Sequence, residues 1–386
     1  MRQDVTLCLL VALAACSGSD PLLPPATGTV RVVAHTDGSF LDGDGYTATL
    51  DQVSSLPLPV NGTIHFRDVE PGLHQVHLAG LADNCVLAPA DLAVTVTAGE
   101  TSVVELHLLC RLDLHGRIVF MSEAYGWPQL LAMHPDGTGR IRVFEDHYSN
   151  AAPAIVPDGS AIVYGSYRNG AWRLFRFDVA TGTVQPLPHI GAMEFQPAVS
   201  PDGTQIVFEV MASDDATRIW VMGANGENPR ALTTGPASEL SDVAPSWSPD
   251  GGWIIFSRTG TLHWMPADGT TPYPVPGVTG SANHPAWSPD GRYIAYTGLS
   301  DDTGGGIGEN YDIYVFDLLL NTARRVTTSP DQEDSPKWSP DGSAIAYHRV
   351  VNGHIQLFRV QADGSGAVNL TNQPLSEGQP AWGPMP

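Results

Sequence analysis

Polar and apolar residues alternate along much of this 386-residue chain. Between residues 28 and 110 short period-2 runs recur: Thr29–Val33, Tyr46–Leu50, Gly62–Phe66, His74–Leu78, Leu92–Val96 and Val103–Leu108. Alternation sends successive side chains to opposite faces, so each run reads as a half-buried strand. Six or seven such strands at regular spacing predict a small Ig/transthyretin-like β-sandwich over 28–110. Beyond residue 116 the runs become apolar and aromatic-tipped: Ile118-Val-Phe120, Ile162-Val-Tyr164, Ile206-Val-Phe208, Ile254-Ile-Phe256, Ile294-Ala-Tyr296 and Ile345-Ala-Tyr347.

Five of these apolar strands follow one near-identical phrase. Its copies are Pro153-Ala-Ile-Val-Pro-Asp-Gly159, Pro197-Ala-Val-Ser-Pro-Asp-Gly203, Pro245-Ser-Trp-Ser-Pro-Asp-Gly251, Pro285-Ala-Trp-Ser-Pro-Asp-Gly291 and Pro336-Lys-Trp-Ser-Pro-Asp-Gly342, with a truncated sixth at Pro380-Ala-Trp-Gly-Pro384. In Pro-Asp-Gly, proline presets φ, aspartate bonds its own backbone and glycine takes φ > 0, so the phrase turns one strand tightly into the next. A third strand follows, such as Arg173–Phe177 or Asp312–Phe316, and a fourth ends near Leu232-Thr233, Val326-Thr327 or Leu370-Thr371. Four strands at a period near 45 residues are the signature of a propeller. The first copy lacks its own leading strand, and the last copy is only a leading strand. The two complete one blade, which gives an all-β, six-bladed propeller over 116–386 with no open edge at its seam. The phrase, its spacing and the six-fold count resemble the TolB-like propellers with their WD-like repeats. That resemblance implies a periplasm-facing scaffold that binds proteins or peptides at its channel mouth or rim. The front segment departs from that family's mixed α/β domain. Its Pro71-Gly72-Leu73-His74-Gln75-Val76 turn resembles carboxypeptidase-regulatory-like and PEGA-type envelope modules instead.

Composition narrows the class. Asp+Glu number 41 against 19 Lys+Arg, a formal net charge of −22, and lysine is nearly absent. Phosphate binding needs clustered cations, so a nucleic-acid partner is excluded. Gly (40) and Pro (32) make up about 19% of the chain, against roughly 12% in ordinary proteins. Such turn-rich usage fits many short strands.

The apolar run Val5–Ala15 is too short to span a bilayer, which takes roughly 20 residues. It fits the core of a secretory signal. Leu13-Ala14-Ala15-Cys16 resembles a bacterial lipobox, which implies a signal over 1–15, lipidation at Cys16 and a Pro-rich tether over 16–27. Ser17 after the lipidated cysteine implies outer-membrane placement, facing the periplasm or the surface, with the lipid as the sole membrane contact. Cys8 leaves with the signal, so Cys85 and Cys110 remain as a pair in an oxidising compartment and are expected to form a disulfide; two buried thiols are the alternative.

Catalytic signatures are missing. The sequence contains no Gly-x-Ser-x-Gly elbow, no His-Glu-x-x-His helix, no Cys-x-x-Cys pair and no phosphate or dinucleotide loop. Asp42-Gly43-Asp44-Gly45 lacks the glutamate an EF-hand needs at position twelve and reads as a turn. Gly304–Gly308 lies within the insertion Leu299–Tyr311 and reads as a flexible rim loop. One constellation stands out. Three residues before each blade proline stand Asn150, Glu194, Asp242, Ala282, Glu333 and Glu377, with Asn283 beside the alanine. TolB-like propellers place this strand innermost, which implies an acidic ring at one channel mouth. Converging like charges invite a cation or a basic partner segment, unless each carboxylate is satisfied by backbone N–H groups of its own blade. The expectation is a monomeric, non-enzymatic cell-envelope lipoprotein without a cofactor. It binds an envelope protein or peptide, basic if the ring is free. The alternative is a lactonase-like hydrolase with calcium in the channel.

Overall fold

The computed structural model describes residues 27–38, 45–81, 84–88, 92–235, 241–300 and 310–385. The signal, Cys16 and most of the tether, the Asp42–Asp44 turn and the Gly304–Gly308 loop lie outside them. The described chain divides into two compact units.

In the first unit the alternating runs become two four-stranded sheets. One orders Thr63–Val69, Gly28–Asp37, Thr101–Cys110 and Cys85–Ala88; the other orders Ser54–Leu58, Tyr46–Leu50, Gly72–Ala79 and Leu92–Val96. Gly28–Asp37 and Thr101–Cys110 run parallel. The apolar half of each alternation meets in one core, with Val30, Val32 and Ala34 from the first sheet and Tyr46, Ala48 and Leu50 from the second. Ser54–Leu58 and Cys85–Ala88 are strands that the hydrophobic pattern missed. The first holds Pro57 and occupies a sheet edge, where a missing N–H is tolerated. The second spans four residues, too few to show a period. Cys85 and Cys110 are disulfide-bonded on neighbouring strands. Closing a loop of about 25 residues this way contributes about 3 kcal/mol.

In the second unit, the described residues form six four-stranded blades. Blade 1 comprises Ile118–Ser122, Gln129–Met133 and Ile141–Arg142, and the C-terminal strand Glu377–Trp382 completes it by pairing with Ile118–Ser122. Blades 2 to 6 start with the innermost strands Ser149–Ile155, Met193–Val199, Asp242–Trp247, Ala282–Trp287 and Glu333–Trp338. The apolar strand comes next in every blade, and its residues fill the layers between blades. Phe120, Tyr164, Phe208, Phe256 and Tyr347 are fully buried.

The repeated phrase performs the turn it spells. Ser200 donates to Asp202 at 2.6 Å and accepts from the backbone N–H of Gln205 at 2.9 Å, while Gly203 takes φ 72°. The same serine contacts recur around Asp250, Asp290 and Asp341. These hydroxyl bonds hold all four carboxyls below the usual range. Trp247 donates across blades to the carbonyl of Ala198, and Trp382 donates to that of Lys337.

A further regularity was not expected from the sequence. In every innermost strand the residue before the leading proline is left-handed: Ala152, Gln196, Ala244, His284, Ser335 and Gln379 have φ between 48° and 57°. Each marks a bulge, because the proline has no N–H to give the ladder and the register shifts across the pair. The bulge turns these six residues towards the propeller axis.

Candidate functional site

The six positions expected to form the acidic ring are buried, with Asn150, Asp242, Ala282, Glu333 and Glu377 at 0% exposure and Glu194 at 1%. Each carboxylate among them is engaged by a guanidinium. Arg258 grips Asp242 in two-pronged fashion, at 2.7 and 2.8 Å. Arg349 lies 2.6 Å from Glu333. Arg140 contacts Glu377 at 3.2 Å, with Ser122 donating to the same oxygen at 2.7 Å. Glu194 receives Arg173 at 3.3 Å, and the backbone N–H groups of Ile190 and Gly191 each donate to it at 2.8 Å. Blades 2 and 5 carry no acid at this position and take one from elsewhere. Asp146 pairs with Arg168 at 2.9 Å and accepts from Asn150, and Asp312 pairs with Arg325 at 2.7 Å. Every blade's carboxylate therefore has an arginine, and Glu194 of blade 3 takes its own, Arg173, from blade 2. The charge that the sequence reading left for a cation is matched from within the chain. Burial still opposes ionisation here, pushing the carboxyls of Glu333 and Asp312 up against the pull of their arginines. Asn283 lines a hollow of about 250 Å³ with His284, Thr297 and Asp334. Among the described residues, no group of three or more His, Cys, Asp or Glu side chains is placed to hold a metal.

One buried acid has no such arginine. Glu209, 1% exposed, accepts from the backbone N–H of Ala244, and burial pushes its carboxyl up to about 8. The folded state therefore binds this proton more tightly than the unfolded chain does. Stability is lost as pH rises from about 4.5 through about 8. Glu209→Gln keeps the acceptor and removes the titration. It is expected to match the parent near pH 4 and to exceed it by about 1–3 kcal/mol at pH 8. Urea melts of both proteins across that range test this, and parallel stability curves would refute it.

Exposed aromatic side chains gather on blades 1 and 2, at the end where Ser149 and Asn150 pair with Tyr167 and Ser166. Tyr125, Trp127, Tyr148 and Tyr167 are 40–48% exposed. They form one cluster with cations and other rings. Arg142 lies 4.5 Å over Tyr125 and Arg168 lies 4.2 Å over Tyr148. Trp127 meets His147 edge-on, and Tyr167 meets Trp172 in the same way. Asp146 ties the two arginines together, through its carboxylate to Arg168 and its carbonyl to Arg142. The sequence reading passed over this cluster, because Tyr125, Trp127 and Tyr148 lie in turns and Arg142, Tyr167, Arg168 and Trp172 near strand ends, all outside the repeated phrase.

Deeper on the axis, residues from all six blades enclose a cavity of about 140 Å³. The left-handed residues and neighbouring prolines line most of it, and His284, Asp334, Lys337 and His348 give one side its polar groups.

Comparison with known proteins agrees with this architecture. Residues 114–290 and 270–385 match the family model described as the TolB beta propeller domain. The Tol-Pal system protein TolB of Anaeromyxobacter dehalogenans (strain 2CP-1 / ATCC BAA-258) is 33% identical over 132 residues, 34% of this chain and 29% of that protein. Its counterpart in Francisella tularensis subsp. tularensis (strain WY96-3418) is 27% identical over 245 residues, 61% of this chain and 54% of that protein. The chain thus spans about half or less of the length of these relatives. Among solved structures, TolB from Acinetobacter baumannii superposes with a TM-score of 0.59 at 22% identity, covering 71% of this chain and 68% of its own. The putative TolB from Agrobacterium tumefaciens gives 0.54 at 19%, covering 66% and 88%. Identities this low speak to the fold alone. The family match, in contrast, covers more than half of the chain, and the chain belongs to the TolB beta-propeller family.

Proposed function

We propose that this chain is a non-enzymatic binding scaffold of the bacterial cell envelope. It is anchored by lipid on Cys16 at the outer membrane and docks a segment of an envelope protein or peptide on its propeller mouth. The observation that carries the reading is the aromatic–arginine cluster of Tyr125, Trp127, Arg142, Tyr148, Arg168 and Trp172. Tyrosine, tryptophan and arginine are the residues that concentrate binding energy at protein interfaces. They combine large apolar area with a polar tip and lose little entropy on docking. The relatives named as Tol-Pal system proteins favour a protein partner in the same compartment. A calcium-dependent hydrolase would draw on the buried carboxylates, and arginines already engage those.

Only one residue of the chain is lysine, so amine-directed crosslinking has almost nothing to react with. A photoreactive phenylalanine analogue at Tyr148, activated in intact cells, tests the reading instead. One dominant crosslinked envelope protein is expected. Its purified form should bind the parent at least tenfold more tightly than a Trp127→Ala, Trp172→Ala variant. Equal binding by both would overturn the proposal.

A further inference from the structure

The six blades serve as controls for one another. Immediately after the leading proline they carry Ala154, Ala198, Ser246, Ala286, Lys337 and Ala381. Five blades thus place a small residue there, and the sixth places the one lysine of the entire chain. The other basic side chains are all arginine, apart from histidine. Two residues before the proline the same blade has Asp334, where the others have Ala151, Phe195, Val243, Asn283 and Gly378. On the neighbouring strand of that blade stands His348, and His284 joins from blade 5. All four line the axial cavity. The departures from the repeat are therefore concentrated on one wall.

That wall has donors to spare. Its carboxylate is consumed locally: one oxygen of Asp334 accepts from the Thr297 hydroxyl at 2.7 Å and the Ser335 N–H at 2.6 Å, and lies 2.7 Å from Nδ1 of His284. The other oxygen is 3.9 Å from Nε2 of His348. The Lys337 amine is drawn by the charge of Asp334 but forms no hydrogen bond or close ion pair among the described residues. Nδ1 of His348 is buried without a partner and donates in the tautomer that carries the proton there. On the adjoining blade 1, Gln379 uses its oxygen on the Ala152 N–H at 3.0 Å, which leaves its NH2 to donate. Glu209, beside Ala244, has its carboxyl pushed up by burial, towards the neutral form.

We propose that the axial cavity is a receptor for a single carboxylate, with Lys337 as the charged donor and Gln379 and His348 beside it. The proposal rests on the reading of this mouth as a docking site and adds to it the chemistry of the inserted group. That group is an acidic side chain or the C-terminal carboxylate of a docked segment. One ammonium with a neutral amide and an imidazole matches one negative charge. The space admits the end of one side chain. Burial holds the Lys337 ammonium below the ordinary lysine range, and a carboxylate against it would draw it back up. The −22 of the whole chain does not forbid this. Exposed charges beyond about 8 Å are largely screened at physiological ionic strength, so the adjacent donors decide.

The single lysine makes the test direct. The full chain is acetylated with an N-hydroxysuccinimide ester, and the rate at Lys337 is followed by mass spectrometry. The added probes are succinate, a short peptide bearing aspartate with an amidated C-terminus, a neutral peptide with a free C-terminus, and inorganic phosphate. Slowing of at least about fivefold by succinate and by one of the peptides is expected, and the effective peptide identifies the source of the carboxylate. Calorimetric affinity for that peptide should fall about tenfold or more in Lys337→Gln and recover in part in Lys337→Arg. A rate unmoved by any carboxylate, protection by phosphate alone, or undiminished affinity in Lys337→Gln would overturn the proposal. The two readings fail separately. A partner that still needs Trp127 and Trp172 while no carboxylate protects Lys337 leaves the scaffold without this receptor. Protection of Lys337 with a partner indifferent to the aromatic cluster leaves the receptor without that scaffold.

Discussion

Arg258→Ala is expected to destabilise the propeller by about 3–5 kcal/mol, the usual result of stranding one member of a buried ion pair. Asp242 is fully buried, and Arg258 meets both of its oxygens, at 2.7 and 2.8 Å. The carboxylate in turn holds the guanidinium above its already high range through those bonds. Without Arg258 the fold must either bury a bare carboxylate or protonate it. Protonation costs more as pH rises, so the deficit grows with pH. At roughly 2–4 °C per kcal/mol for a unit of this size, calorimetry at pH 7 should show a fall of about 10 °C or more, shrinking towards pH 4. Asp242→Leu combined with Arg258→Met removes both charges and should recover most of the loss. A loss under about 1 kcal/mol at pH 7 would mean that water reaches Asp242.

Removing residues 376–385 should have a larger effect. Glu377–Trp382 is the innermost strand of blade 1, pairing Glu377 with Ser122, Ala381 with Val119 and Trp382 with Ile118. Its loss exposes the edge of Ile118–Ser122 and uncovers Ile118 and Phe120, both fully buried. It also takes Glu377 from Arg140, and the Trp382 donor from the last blade. A whole strand and its cross-blade contacts outweigh the ~5–15 kcal/mol by which a domain is ordinarily stable. The truncated chain is expected to lack a cooperative propeller transition at 25 °C in near-ultraviolet circular dichroism. A peptide spanning 374–386, added in excess, should restore it by supplying the strand. An unaltered melting curve for the truncated protein would refute the closure argument.

The sequence carried the fold because the repeated phrase is a physical instruction. Pro-Asp-Gly has few conformations open to it, and the apolar run that follows needs cover on both faces. The truncated copy at Pro380 even reveals how the ring closes. The site was less legible, and the bulge is the reason. A regular ladder continued from Trp247 opposite Ile254 would set Asp242 opposite Thr259, and one continued from Trp338 opposite Ile345 would set Glu333 opposite Val350. The one-residue shift at the bulge puts Arg258 and Arg349 there instead. Proline without an N–H hinted at an irregularity, but nothing local gives its size. Lys337 was legible in principle, since aligning the blades on their prolines isolates it at once. Counting acids rather than departures from the repeat concealed it. The aromatic cluster offered no pattern, because Tyr125, Trp127 and Tyr148 come together only through blade packing.

The left-handed residues before the six blade prolines also define an alphabet. The backbone at Ala152, Gln196, Ala244, His284, Ser335 and Gln379 excludes the β-branched letters most strongly and welcomes glycine, asparagine, aspartate and histidine. None of the six is valine, isoleucine or threonine. The lining of the axis is thus spelled in small, flexible or polar characters, while the blades behind it are spelled in the aliphatic and aromatic residues that hold the ring. The two texts can be edited independently. A library that varies these six positions alone would rewrite what the channel recognises and leave the propeller that presents it intact.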